Sequence, residues 1–133
     1  MEDIADKYFE VAMKTPRPAP KEYIAEMLKL WETIKENPVD VNNSYLIVHD
    51  IVKEALKANL LDVAEKWAEI GMQYEGIHNL GGEGAFQVGV VAFAKGDLEK
   101  AKQYFKMAKK NSGWRNFRNK DPAYRALIDK KKQ

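Results

Sequence analysis

Residues 96–105, Gly-Asp-Leu-Glu-Lys-Ala-Lys-Gln-Tyr-Phe, align with residues 59–68, Asn-Leu-Leu-Asp-Val-Ala-Glu-Lys-Trp-Ala, at an offset of 37 residues. Self-similarity at a period of this size is the mark of repeated helical hairpins, because one hairpin cannot bury its apolar face alone and must stack on a neighbour. That constraint predicts an all-α chain of stacked antiparallel hairpins, and the remaining segments agree with it.

Apolar residues recur at helical spacing between breakers. Ile4, Ala5, Tyr8, Phe9 and Ala12 share one face of a first helix over 3–14. The run Thr15-Pro16-Arg17-Pro18-Ala19-Pro20 stops it, since proline cannot continue a helix. Ile24, Met27, Leu28, Trp31 and Ile34 predict a second helix over 21–36, ended by Asn37-Pro38. Asn42, Asn43 and Ser44 are N-cap candidates for a third, with Tyr45, Val48, Val52, Ala55 and Leu56 as its stripe. Residues 58–62 form a tight turn into a fourth helix carrying Ala64, Trp67, Ala68 and Gly71. Residues 76–82, Gly-Ile-His-Asn-Leu-Gly-Gly, are the most loop-like stretch. Phe86 to Ala94 makes a fifth helix, and Leu98, Ala101, Tyr104, Phe105 and Ala108 a sixth with lysines outside. Asp121-Pro122 signals a last helix at 121–131, with Tyr124, Leu127 and Ile128 as its buried face.

These 133 residues suit one domain, 1–133; 45% are apolar, enough for a core, and 32% are charged, which argues against disorder of the low-hydropathy kind. The chain has no cysteine, which excludes disulfides, thiolate nucleophiles and cysteine zinc sites. No apolar run approaches the ~20 residues that span a bilayer. The acidic start Met1-Glu2-Asp3 lacks the basic and apolar regions of a signal peptide, so a cytoplasmic setting is expected. The net charge of +2 conceals an asymmetry: residues 1–100 hold 11 Lys/Arg against 18 Asp/Glu, residues 101–133 hold 11 against 2. A basic end of this kind sits on an acidic surface, is merely solvated, or meets an acidic or nucleic-acid partner.

Gly89, Gly96-Asp97, Ala101, Phe105 and Ala108 fall at the spacings of a tetratricopeptide (TPR) motif, and residues 83–111 resemble one such unit. Residues 43–74 are similar more loosely, with Gly71 where that family has alanine and Asn59 at the turn glycine. The stretch from Ser112 to Tyr124 resembles an extension that follows degenerate TPR units in bacterial proteins. The resemblance implies stacked hairpins closed by a C-terminal capping helix. It also implies a groove lined by the first helix of each hairpin: Leu46, His49, Lys53 and Leu56 from one, Glu83, Phe86, Val90 and Phe93 from the next.

The sequence carries little that resembles a catalytic or ligand-binding motif. Gly81-Gly82-Glu83-Gly84 is the one candidate phosphate cradle, but Gln87 breaks the dinucleotide pattern and Val90-Val91 stand where a P-loop has Lys-Ser/Thr. His49 and His78 lie 29 residues apart without metal-ligand or triad spacing. No cofactor and no metal site is expected. Trp114, beside Arg115, Phe117 and Arg118, could stack on a base or a peptide, or could pin its segment to the last hairpin, the reading that the usual burial of large aromatics favours. The expectation is therefore a non-enzymatic adaptor or scaffold that binds a protein or peptide through His49, Lys53, Leu56, Phe86, Val90, Phe93, Trp114, Arg115 and Arg118. The alternative is a nucleic-acid binder using Lys102, Lys106, Lys109, Lys110, Arg115 and Arg118. No membrane is involved in either.

Overall fold

A computed structural model describes residues 4–14, 18–78 and 81–129, with the side chains of 76–78 excepted. Among these residues the chain is helical throughout, with no strand. The helices are α1 (Ile4–Ala12), α2 (Pro20–Glu32), α3 (Ser44–Lys57), α4 (Leu61–His78), α5 (Glu83–Ala94), α6 (Leu98–Ser112) and α7 (Pro122–Ala126), with 3-10 turns at Pro38–Asp40 and Arg115–Phe117. They form two compact units, residues 1–71 and 72–133.

In the first unit, α2 starts where Pro20 occupies the first helical position behind an extended Ala19. Tyr23, Ile24, Met27 and Leu30 form its buried face against α3. The helix ends at Glu32, four residues before the end that its periodicity predicts. Thr33 Oγ1 donates to the Leu30 carbonyl at 2.6 Å and closes the last turn. Pro38 holds Asn37 extended and opens a 3-10 turn that buries Val39. Ser44 Oγ donates to the Pro38 carbonyl at 2.6 Å, so the turn is tied to the start of α3. Of the three N-cap candidates Asn43 takes the position, but in the left-handed conformation (φ 69°) and without a side-chain cap bond. Ile47, Val48, Ile51, Val52 and Ala55 of α3 are all buried. Residues 46–48, strand-like in composition, are helical because the apolar period continues for four turns. Asn59, at φ 57°, makes the turn into α4, where Trp67 meets Trp31 edge-on at 5.0 Å.

The second unit is built on α5 and α6. Helix α5 buries Ala85, Phe86, Val88, Gly89, Val91 and Ala92, and a helix apolar nearly all round must be enclosed. Gly96 (φ 84°) and Asp97 make the turn, with the Asp97 carboxylate accepting from Lys100 N–H at 3.2 Å. Ala101, Phe105 and Ala108 of α6 are fully buried. Phe86, Phe105, Phe117 and Tyr124 form one aromatic cluster with centroid separations of 4.9 to 6.0 Å.

Further boundaries also differ from the sequence-based expectation. The backbone of 76–78, expected as loop, continues α4; Asn79 and Leu80 lie outside the described residues, as do Thr15, Pro16 and Arg17 of the proline-rich connector. The last helix does begin as expected, with Asp121 accepting from Ala123 N–H at 3.0 Å and Pro122 first in the helix. It stops at Ala126 rather than 131 and buries no residue of its own. Tyr124 and Leu127 are half-buried, and Ile128, beyond the helix, reaches the core.

Candidate functional site

The residues expected to line a groove fall into both units. In the first, His49, Lys53 and Leu56 share one stripe of α3. The other faces of that helix are consumed: Ser44, Ile47, Val48, Asp50, Ile51, Val52, Glu54 and Ala55 are buried. His49 and Leu56 stay half-exposed and Lys53 exposed, with the His49 ring 6.1 Å from that of Tyr45. The stripe mixes a cation, an imidazole and an aliphatic group.

In the second unit Phe86 belongs to the core, 5% exposed and enclosed by Phe105, Phe117 and Tyr124. It is therefore no part of an open lining. Val90 and Phe93 are half-buried against the same cluster, and Phe93 is covered edge-on by Tyr124 at 5.1 Å. The C-terminal segment thus occupies the apolar side of α5 that the expected groove required.

Trp114 is also engaged within the unit. Lys109 Nζ lies 4.5 Å from the ring centroid, the Arg125 guanidinium 4.1 Å, and Phe117 meets the ring edge at 5.2 Å. Arg125 is itself held by Asp129 at 3.5 Å. The indole pins its connector to α6 and α7, and its own cations already take the positions that a stacking base would need. Arg115 and Arg118 are exposed, the first with its guanidinium against Gly81.

The glycine-rich turn has an occupant as well. The Glu75 carboxylate accepts from Gly82 N–H at 3.3 Å, Gly84 N–H at 2.8 Å and Ala85 N–H at 3.3 Å. These are the otherwise unpaired amides at the start of α5, and a carboxylate there also meets the positive end of the helix dipole. An amide cradle already filled by the protein's own carboxylate is closed to phosphate. The Gly81 carbonyl accepts from Ser112 Oγ at 2.5 Å and Asn116 Nδ2 at 2.8 Å, which ties this turn to the end of α6.

A second carboxylate organises the first unit. Tyr8 and Tyr23 donate their hydroxyls to Asp50 Oδ2 at 2.6 and 2.5 Å. Asp50 is 9% exposed, so α1 and α2 are both fastened to α3 through a buried charge that accepts two strong hydrogen bonds. Neither Glu75 nor Asp50 is conspicuous in the sequence, because their partners are brought to them by the fold.

Among the described residues no group of three or more His, Asp or Glu is placed to hold a metal ion, and no helix is long and apolar enough to cross a membrane. No family model matches the chain, and no curated protein or solved structure is significantly similar to it.

Proposed function

We propose that the chain is a non-catalytic adaptor whose hairpins are TPR-like and whose α3 stripe, His49, Lys53 and Leu56, receives a protein or peptide segment. The observation that supports it is the contrast along α3: a helix packed on every other face keeps one row accessible, and that row combines apolar surface with positive charge. An amphipathic helix or extended peptide with an aliphatic anchor and an acidic group fits such a row. The Gly89–Phe105 approach and the Gly96-Asp97 turn add hairpin geometry of the kind the resemblance implies.

The test is capture from nuclease-treated native lysate at high salt, comparing the wild-type chain with the Lys53→Glu/Leu56→Asp double variant. Both positions reach solvent, so the variant keeps its helical circular dichroism. One specific protein retained by the wild type and lost from the variant supports the reading. No specific retention, or equal retention by both, overturns it.

A further inference from the structure

The α6 surface carries a different chemistry from the α3 stripe. Residues 72–133 hold 13 Lys/Arg against 6 Asp/Glu, whereas residues 1–71 hold 9 against 14. Lys102, Lys106, Lys109 and Lys110 recur at helical spacing, and at about 100° per residue they fall within roughly a 100° arc of α6. Lys106, Lys109 and Lys110 are exposed and Lys102 half-exposed. Glu99 is the sole acid in α6. Among the described residues none of these four lysines, nor Arg118, makes an ion pair. So much like charge on one face destabilises the free protein by self-repulsion and is relieved by a bound polyanion.

We propose that this lysine stripe, continued by Arg118, binds the phosphate backbone of nucleic acid without regard to base sequence. Two features favour phosphates over an acidic protein. Lysine binds phosphate as a point charge on a flexible stem, without the planar bidentate geometry that arginine brings to carboxylate and phosphate alike. Lysine is also depleted from protein–protein interfaces. Stacking of a base on Trp114 is disfavoured, because Lys109 and Arg125 already lie over its ring at 4.5 and 4.1 Å. With Trp114 so engaged, the contact expected of the stripe is with the backbone.

The test is fluorescence anisotropy of labelled 20-nucleotide DNA and RNA, single-stranded and duplex, titrated with the full chain from 50 to 200 mM salt. If about four phosphates are neutralised, log K falls against log salt with a slope of roughly −3 to −4 on duplex. Unrelated sequences bind within a few-fold of one another. The Lys102→Gln/Lys106→Gln/Lys110→Gln variant, its helicity checked by circular dichroism, flattens that slope to about −1 and loses most of the affinity at 50 mM salt. No binding at 50 mM salt overturns the proposal, as does unchanged binding by the triple variant. Displacement of the oligonucleotide by polyglutamate at equal charge concentration would assign the stripe to acidic protein instead. These readouts use purified oligonucleotides, so they stand or fall independently of the α3 reading.

Discussion

Gly89 of α5 lies so close to Phe105 of α6 that a Cβ at position 89 would come within 2.6 Å of two ring carbons. Phe105 is itself fully buried, packed against the rings of Phe86, Phe117 and Tyr124. The closeness of this hairpin therefore depends on one missing methyl group. Gly89→Ala raises helix propensity, a gain of about 0.5–1 kcal/mol, but overpacks the crossing at about 1–3 kcal/mol. The net expectation is destabilisation, read as a lower urea midpoint, with recovery in the Gly89→Ala/Phe105→Leu double variant. A stabilised single variant would show that the helices separate without penalty.

Tyr8 and Tyr23 share a single oxygen of Asp50, so they act as one unit. Hydrogen bonds to a charged group contribute about 1.5–3 kcal/mol each. Tyr8→Phe and Tyr23→Phe each destabilise the first unit on this scale, and Asp50→Ala does so more strongly because it leaves both hydroxyls without that acceptor. A double-mutant cycle of the two tyrosines in chemical denaturation is expected to be non-additive, since each hydroxyl helps fix the carboxylate for the other.

Glu75 satisfies three amides of α5. Glu75→Ala removes them all, with a cost of about 1–2 kcal/mol on the scale of lost N-caps. Hydrogen exchange localises the effect: the amides of Gly82, Gly84 and Ala85 lose protection while those in the middle of α3 keep theirs. Equal loss everywhere would mean that the carboxylate holds more than this helix end.

Burial, with the Asp121 carboxylate adding to it, raises the Tyr124 hydroxyl above its ordinary value of 10.0. The folded state therefore holds this proton more firmly than the unfolded one. Its contribution to stability is complete below the unfolded value near 10 and is lost as pH rises through the higher folded value. Ultraviolet titration of tyrosinate is expected to show a late-titrating component that shrinks by one tyrosine in Tyr124→Phe. The same substitution weakens the fall in stability above pH 10.

The helices of this chain were legible because their signals are local. Period, caps and breakers act within about four residues, so the proline run ending at Pro20, the Gly96-Asp97 turn and Asp121-Pro122 mark helix boundaries in the sequence itself. The close approach at Gly89 was legible too, as a small residue at hairpin spacing. What the sequence could not decide spans longer separations. Helix α4 runs past Gly76 where Tyr74 is buried and Glu75 reaches forward nine residues to Gly84, so tertiary anchoring outweighs a loop-like composition. The last helix stops after about one and a half turns, because the core takes Ile128 from outside it. Phe86 and Trp114 could each be read as a partner contact or as packing, the latter favoured for Trp114, since an aromatic residue carries no mark of what will cover it; the fold supplied Phe105, Phe117, Lys109 and Arg125. Asp50 became the fastening point of the first unit only when folding brought Tyr8 and Tyr23 to it across 42 and 27 residues, an association that depends on the burial of three helices and that no short-range pattern encodes.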